Sequence, residues 1–372
     1  MSVTAIENEP TTLPIPKVYM DLMHNTEQNP KYHAEGNVLN HTLLVLREFY
    51  ELAGLGILDE SEKEVLYWAA LLHDIGKPSV TRWDGTAWRA AGHEAAGVPI
   101  ARNILLQQQD ISPTQRQRIL DLVKWHHIPL RMGLRKASLS SYENVAFRTD
   151  IRLLGLFSLM DLKGRICENA NEIKDLLHNF TEVIVPQIEA TWGTFQEIQT
   201  RFQACCPLIK NQIWSALQEQ QYDQVFSLLS TGRFLSAPRC RCFLSIGTPR
   251  SGKSQFIQQA YNDLPTYSES RKGNESGDLS QGLKDFLSAN LSSGQSVVVD
   301  GCHLDEAKRQ KIADFIRHYD TEIQYLYFER SLSEILELNS LSVLPLDSQF
   351  LREAYSQLHK PHPWEAHGIE IV

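Results

Sequence analysis

The sequence has no long hydrophobic run and no leader pattern at its start. No apolar stretch reaches the roughly 18 to 20 residues that a transmembrane helix needs. The opening residues, MSVTAIENEP, are acidic and lack the basic and apolar regions of a signal peptide. These absences predict a cytoplasmic chain that makes no use of a membrane.

Cysteine and positive charge are both scarce. The six cysteines include the vicinal pair Cys205–Cys206 and the C-x-C pair Cys240 and Cys242, but no two C-x-x-C knuckles. Free thiols in a reducing compartment are therefore expected rather than a structural zinc site. A net charge of −9 argues against a general nucleic-acid-coating surface, which would be basic. A local basic cleft that holds one phosphate remains compatible with this charge.

The first two-thirds of the chain has the pattern of helices. Residues 1–16 carry three prolines and predict a loose N-terminus, and residues 17–203 predict an all-α helical bundle. Helices are expected at about 37–53, from Ser61 with a Ser61–Glu64 capping box, and near 92–109, 113–126, 141–162 and 166–203. A loop or short hairpin is expected around Asp84–Gly85. Residues 204–240 predict a helical linker that ends at Pro238.

The pattern changes after Pro238, because short apolar strands now alternate with helices. Strands are expected at 241–246, 266–268, 296–300 and 322–328, with helices from Ser251, at about 278–291 and at 305–318. Such alternation is typical of a parallel sheet covered by helices. The sequence therefore predicts a second, α/β domain over residues 241–372, and 372 residues suffice for two cores.

The helical half carries histidines and aspartates that are suited to binding metal. They are His33, His41, His73, Asp74, His93, His126, His127 and Asp161. One helix can point only one or two of them at a common spot, so several helices together would have to surround the ion. Imidazole nitrogens and carboxylate oxygens suit Mn, Fe, Co, Ni or Zn, and two such ions promote phosphoester hydrolysis. The alternative is a set of unrelated surface histidines.

A phosphate-binding motif opens the α/β half. The string GTPRSGKS fits G-x-x-x-x-G-K-[ST] between a predicted strand and a predicted helix, which is the context that this motif needs. Its backbone N–H groups surround phosphates, Lys253 reaches the β and γ oxygens, and Ser254 holds Mg²⁺. The candidate ATP-binding residues are Gly247, Thr248, Pro249, Arg250, Ser251, Gly252, Lys253 and Ser254. Asp300, at the end of a predicted strand, is the natural second acidic group.

Five blocks in the helical half occur in a recognisable order: KYHAEGNVLNHT, LLHDIGKP, GHEAAG, KWHH and SLMDLKGR. This series resembles the HD-domain phosphohydrolases, in particular those found alongside tRNA CCA-adding enzymes and in RNA end-repair proteins. The resemblance implies that His41, His73, Asp74 and Asp161 are the core metal ligands. It further implies a second ligand set of His93 with His126, which we prefer, or His127. His33 and Glu35 would orient a ligand, and Lys77 would meet the substrate phosphate, with Arg131, Arg148 and Arg165 as lesser candidates.

The segment VVVDGCHLDEAKR resembles the D-x-T-N…R segment of P-loop polynucleotide kinases. Asp300 and Arg309 match, and His303 stands where asparagine is usual. Upstream, TYSESR lies where those kinases carry a general base three residues before an arginine. Arg271 fits the arginine, whereas the base position is Ser268 by spacing or Glu269 one residue later. The lid-like segment LELNSLSVLPLDSQFL lacks the arginines expected around residues 338–342.

Both halves together resemble the bacterial bifunctional RNA end-healing enzymes. The resemblance implies a phosphohydrolase that uses Mn, Ni, Co, Fe or Mg to remove 2′-, 3′- or 2′,3′-cyclic phosphate from RNA ends. It also implies an ATP- and Mg-dependent kinase for 5′-hydroxyl ends, and products that suit an RNA ligase. In a second hypothesis the P-loop half only binds nucleotide and regulates the hydrolase. In a third, the hydrolase acts on free nucleotides or small phosphodiesters, and the second domain is a platform for dimerisation or partners.

Overall fold

The computed structural model describes residues 13–205, 207–231, 239–269, 278–319, 321–362 and 365–372. Within these ranges the chain is helical up to residue 231, apart from one short hairpin, and then forms a sheet flanked by helices. The predicted order of an all-α half and an α/β half is therefore confirmed. None of the helices in the described ranges combines the length and the apolar character needed to cross a bilayer.

The helical half is built from short and medium helices. They are α1 (Lys17–His24), α2 (Val38–Ala53), α3 (Glu60–Leu72), α4 (Lys77–Val80), α5 (His93–Leu105), α6 (Pro113–Trp125), α7 (Ile128–Leu134), α8 (Leu139–Ala146), α9 (Ile151–Lys163), α10 (Ala170–Asn179), α11 (Val185–Trp192), α12 (Phe195–Ala204), α13 (Pro207–Gln218) and α14 (Tyr222–Thr231). A π-helical turn, Phe180–Ile184, joins α10 to α11. The antiparallel strands β1 (Arg82–Trp83) and β2 (Trp88–Arg89) form the expected hairpin.

Two predicted helices are each broken into shorter ones. The expected helix at 141–162 is wrong because α8 ends at Ala146 and Asp150 caps a new helix, accepting a hydrogen bond from Leu153 N. The expected helix at 166–203 is wrong because Gly193 adopts φ +83° and Thr194 opens a new capping box. Side-chain capping groups in mid-segment therefore restart the helix at points that apolar periodicity alone does not reveal.

Helix α3, which precedes His73, has Asp59 as its N-cap. The predicted N-cap, Ser61, lies two residues further along the chain. Asp59 accepts from Glu62 N, and the Glu62 carboxylate accepts from Asp59 N, so the capping box belongs to this pair. Helix α3 ends at Leu72, which leaves His73 as its C-terminal cap and Asp74 in the following turn. Its apolar residues Val65, Leu66 and Leu72 are fully buried in the core.

The core of the helical half continues into the segment that follows residue 204. Ile213 of α13 and Val225 of α14 are fully buried in the same hydrophobic cluster as α2, α3, α6 and α9. In the described part of this segment, α13 and α14 therefore pack as part of the helical body.

The α/β half forms one five-stranded parallel sheet. Its elements are β3 (Cys240–Ile246), α15 (Lys253–Ala260), β4 (Thr266–Ser268), α16 (Gln281–Ser292), β5 (Val297–Asp300), α17 (Glu306–Ile316), β6 (Thr321–Tyr327), α18 (Leu332–Ser340), α19 (Ser348–Ser356) and β7 (Gly368–Ile371). The strand order is β4-β5-β3-β6-β7, and all four pairings are parallel. The loop after the central strand β3 therefore lies between the ends of β5 and β6, where open α/β sheets bind ligands.

Helices α5 and α6 of the helical half contact the α/β half directly. Arg102 donates to Leu358 O at 2.8 Å, and Arg116 pairs with Glu329 at 2.8 Å. The two halves therefore meet through buried arginine side chains.

Candidate functional site

Five helical segments bring six potential metal ligands to one buried point. They are His41 in α2, His73 and Asp74 after α3, His93 at the start of α5, His126 at the end of α6, and Asp161 in α9. Each is at most 4% exposed. Gly76 makes part of this approach possible, because a Cβ there would lie 2.2 Å from His93 O. Only glycine therefore lets the turn after Asp74 pack this tightly against α5.

Four of these histidines have one ring nitrogen fixed by a backbone carbonyl. The Nδ1 atoms of His41, His73, His93 and His126 face the carbonyl oxygens of Gly164, Ala70, Ala90 and Val123 at 3.3, 3.0, 2.7 and 2.8 Å. A carbonyl oxygen only accepts, so Nδ1 carries the proton and Nε2 keeps a lone pair. The backbone thus prepares four imidazoles as ligands through Nε2.

The Nε2 atoms of these histidines face carboxylate oxygens rather than hydrogen-bond donors. His41 Nε2 lies 2.9 Å from Asp161 Oδ1, His73 Nε2 3.3 Å from Asp74 Oδ2, and His93 Nε2 3.2 Å from Asp74 Oδ1. His73 Nε2 and both Asp74 oxygens lack a hydrogen bond of good geometry, although Lys77 Nζ is close to Oδ2. A buried cluster of acceptors is costly unless cations compensate it, so these residues fit divalent metal ions.

Asp74 presents its two oxygens to two different groups of histidines. Oδ2 lies 3.3 Å from His73 Nε2 and 3.8 Å from His41 Nε2. Oδ1 lies 3.2 Å from His93 Nε2 and 3.9 Å from His126 Nε2. One carboxylate can therefore serve two neighbouring cation positions.

His127 lies near this cluster but is held differently. Its ring nitrogens come within 4.8 Å of those of His93 and His126. However, Nδ1 lies 3.2 Å from Glu94 Oε1, and Nε2 lies 3.2 Å from Arg165 Nη2. The environment of His127 is thus an ion-pair network, whereas His126 points directly at Asp74.

Glu35 sits behind His41, as the H-x-E spacing of the opening block predicted. Its Oε1 lies 2.8 Å from His33 Nδ1 and 3.0 Å from His41 Nδ1, and Oε2 accepts from Ile166 N. Burial opposes ionisation of Glu35, but the hydrogen bonds to His33 and His41 outweigh it and lower the carboxyl pKa. The charged carboxylate therefore fixes the orientation of the His41 ring.

The pKa directions keep both buried aspartates ionised at neutral pH. Burial would raise the pKa of Asp74, but His73 and Lys77 hold it well below its usual range. Burial would likewise raise the pKa of Asp161, and Arg165 with His41 reverses the effect. Burial also lowers the pKa of His126, so its ring stays neutral and able to bind a cation.

A cavity of about 640 Å³ opens next to these ligands and is rich in cationic side chains. Lys77, 5% exposed, lies 2.6 Å from Asp74 Oδ2 and 2.6 Å from Gln28 Oε1. Arg165 donates to both oxygens of Asp161, and Arg131 pairs with Glu94 at the cavity wall. Arg148 is not part of this lining, since its side chain bonds to Asn144 and approaches Glu306.

The Gly-rich loop (residues 247–254) runs from the end of β3 into the start of α15. Lys253 Nζ donates to Gly247 O at 3.0 Å and to Thr248 O at 2.7 Å, so the ammonium lies over the loop. Ser254 Oγ donates to Asp300 Oδ2 at 2.7 Å, which joins the loop to the end of β5. Gly252 adopts φ +95°, a left-handed conformation that strains other residues.

Next to the Gly-rich loop, Glu269 follows β4 and lies near the end of β5. Its Oε2 is 2.5 Å from Lys308 Nζ and 3.5 Å from His303 Nε2. Ser268 is aligned with Asp300 in the sheet register. Arg271, the expected phosphate-gripping arginine, lies outside the described residues. Arg309 binds Glu365 and backbone carbonyls inside the domain, so its observed role is structural.

Several polar groups near both sites were missed by sequence reasoning. Gln28 holds Lys77, and Glu94 holds His127 and Arg131. Arg330 donates from Nε to Ser251 O at 3.0 Å, at the edge of the Gly-rich loop. The GHE block could have suggested Glu94, whereas Gln28 and Arg330 come near these sites only through the tertiary fold.

Comparison with known proteins agrees with the geometry of the helical half. Residues 38–152 match the family model of the HD domain. The matched range contains all the clustered histidines and Asp74, while Asp161 follows it in α9. The search of curated proteins found no match to the chain. The chain therefore carries an HD domain, the domain of metal-dependent phosphohydrolases, and this domain contains a buried His/Asp cluster that could hold divalent metal.

Proposed function

We propose that the HD domain removes phosphate from 2′-phosphate, 3′-phosphate or 2′,3′-cyclic phosphate ends of RNA. The observation that carries this proposal is the convergence of four carbonyl-fixed histidines on two buried aspartates beside a cationic cavity. His41, His73, Asp74 and Asp161 would hold one divalent cation. His93 and His126, with the other oxygen of Asp74, would hold a second.

The side chains around the cavity have separable tasks in this proposal. Divalent cations at the cluster would supply Lewis-acid chemistry and activate water for attack on phosphorus. Lys77 and Arg165, held beside Asp74 and Asp161, would bind the non-bridging oxygens of the substrate phosphate. Glu94 keeps Arg131 and His127 in place at the cavity wall. The cavity volume lies within the usual range for small-molecule sites and can accommodate a terminal nucleotide.

A second candidate function belongs to the α/β half. The Gly-rich loop, with Lys253 over the loop and Ser254 bonded to Asp300, supports binding of ATP and Mg²⁺. Glu269 is the acidic group positioned to accept a proton from a 5′-hydroxyl end, and Arg330 supplies positive charge at the loop where the lid arginines are missing. These features favour an RNA 5′-kinase; a regulatory domain that only binds nucleotide is the alternative.

One assay separates these functions. A short RNA with a 5′-hydroxyl and a 2′,3′-cyclic phosphate is incubated with radiolabelled ATP and Mn²⁺ or Ni²⁺. Phosphate release together with 5′ labelling supports the two-headed enzyme and a functional link to an RNA ligase. Release without labelling supports the regulatory alternative. Turnover of free nucleotides but not of RNA ends overturns the RNA assignment.

Two matched variants assign each activity to its site. Asp74→Ala should abolish phosphate release and leave ATP binding intact. Lys253→Ala should abolish ATP binding and leave phosphate release intact. Unchanged hydrolysis by Asp74→Ala would contradict the metal assignment.

A further inference from the structure

The β1–β2 hairpin lies at the rim of the cavity. It carries two tryptophans that the hydrophobic core does not account for. Trp88 and Arg89 of β2 line the cavity together with the metal-side residues His93 and Lys77. Neither Trp88 nor its neighbour Trp83, which is 55% exposed, belongs to the core clusters of the described residues. Two large indoles in so short a hairpin are thus not explained by burial.

The hairpin is rigid despite its two-residue strands. Asp84 Oδ1 accepts hydrogen bonds from Thr86 N and Ala87 N at 2.8 Å each, and Asp84 Oδ2 accepts from Arg89 Nε at 2.7 Å. Trp83 and Trp88 form a T-shaped contact with ring centroids 5.5 Å apart. The turn and the neighbouring indole therefore fix the position of Trp88 before any ligand arrives, which lowers the entropy cost of binding.

Tyr32 is the other aromatic side chain on this cavity wall, but one face of its ring has a partner already. Lys31 Nζ lies 5.6 Å from the Tyr32 ring centroid. Trp88 also has an aromatic neighbour, Trp83, in a T-shaped contact, and it is half-buried. Its indole is the larger aromatic surface along the cavity that contains Lys77, Arg131 and Arg165.

We infer that Trp88 stacks on the nucleobase of the nucleotide whose phosphate is hydrolysed, while Lys77, Arg131 and Arg165 bind that phosphate. Every base has a flat π-face, so an aromatic wall binds a nucleotide without selecting its sequence. An enzyme that repairs broken ends has to accept any terminal base, which this kind of contact permits. The inference rests on the proposed function, since it names how the same site holds its substrate.

The test compares substrates with and without the base. One pair is a short RNA with a 3′-terminal phosphate and the same RNA with an abasic last nucleotide. The other pair is adenosine 2′,3′-cyclic phosphate and glycerol 1,2-cyclic phosphate. Phosphoester hydrolysis by the full-length protein is measured for wild type, Trp88→Ala and Trp88→Phe. Tyr50→Ala is the control, because it removes an exposed aromatic side chain of the helical half that does not line the cavity.

Wild type should prefer the base-bearing member of a pair by about 5-fold to 100-fold in kcat/KM, the effect of one base–aromatic stack. Trp88→Ala should reduce this preference to near unity, Trp88→Phe should restore part of it, and Tyr50→Ala should change it less than about 2-fold. An unchanged preference in Trp88→Ala, or equal loss on both members, overturns the inference.

The two substrate pairs also separate this inference from the proposed function. If wild type is inactive on both RNAs but shows the Trp88-dependent preference on the cyclic phosphates, the RNA assignment fails and the stacking role stands. If the RNAs are hydrolysed without a Trp88-dependent preference, the RNA assignment stands and the stacking role fails. Absence of turnover on all four substrates removes both.

Discussion

Nε2 of His93 lies 3.4 Å from Nε2 of His126, and the other nitrogen of each ring faces a backbone carbonyl oxygen. Two imidazole lone pairs are therefore directed at each other inside the protein, next to Asp74 Oδ1. Such an arrangement is unfavourable by itself but is typical of two ligands that share one cation. The carbonyls of Ala90 and Val123 thus orient both imidazoles so that their Nε2 atoms face one point.

The first prediction concerns which histidine of the KWHH block holds metal. His126→Ala should lower the number of tightly bound Mn²⁺ ions per chain, because its Nε2 is directed at Asp74. His127→Ala is the matched control and should retain the wild-type number, since its Nε2 faces Arg165. Elemental analysis after dialysis measures both. Loss of metal in His127→Ala but not in His126→Ala would reverse the assignment.

A second prediction addresses the orienting role of Glu35. Glu35→Gln removes the charged acceptor 3.0 Å from His41 Nδ1 and should weaken metal affinity by about 10-fold to 100-fold. Isothermal titration with Mn²⁺ measures the change. Glu51→Gln, at an exposed position of the helix α2 that carries His41, is the control. Equal affinities in the two variants would show that His41 is oriented without Glu35.

A third prediction tests the acidic partner of the Gly-rich loop. Asp300→Asn should weaken ATP binding in Mg²⁺ by about 10-fold and have a much smaller effect in EDTA, since Asp300 accepts a hydrogen bond from Ser254, the proposed Mg²⁺ ligand. Fluorescent-nucleotide titration in both buffers measures the difference. Asp285→Asn in α16 serves as the surface control. An equal loss in Mg²⁺ and in EDTA would point to a folding defect instead.

A fourth prediction uses a buried carboxyl at the boundary between the two halves. Burial raises the pKa of Asp121 to about 7, against the opposing effect of Lys360. The folded chain therefore keeps a proton that the unfolded chain releases above pH of about 4. The stabilisation from this group is complete below that pH and is lost as pH rises towards 7.

Asp121→Asn has no carboxyl proton to lose. The Tm of the variant minus the Tm of wild type should therefore increase by about 2 °C or more between pH 5 and pH 8. Differential scanning fluorimetry across this range makes the comparison, with Asp110→Asn as an exposed control. Parallel Tm curves for wild type and Asp121→Asn would contradict the raised pKa.

Much of the fold was predictable because its signals are local. Alternating apolar runs gave the four strands β3 to β6 within about two residues, and the hairpin followed from Asp84–Gly85. The capping box of α3 and the breaks at Asp150 and Gly193 were not predicted, because competing capping residues nearby fit the same pattern. The strand order depends on tertiary packing and has no local signal.

The candidate site was predictable in its residue types but not in its geometry. The histidine and aspartate blocks indicated a metal cluster, yet the choice between His126 and His127 required the directions of their rings. Gln28 and Arg330 escaped notice because each lies far in sequence from the group it contacts. Such long-range contacts have no pattern in a single sequence.

The most direct test of the central claim is the metal content of the full-length chain, measured by elemental analysis for wild type and Asp74→Ala after loading with Mn²⁺ and desalting. The shared carboxylate predicts two ions per wild-type chain and fewer than one in Asp74→Ala. Equal metal content in the two proteins would contradict a metal centre built on Asp74.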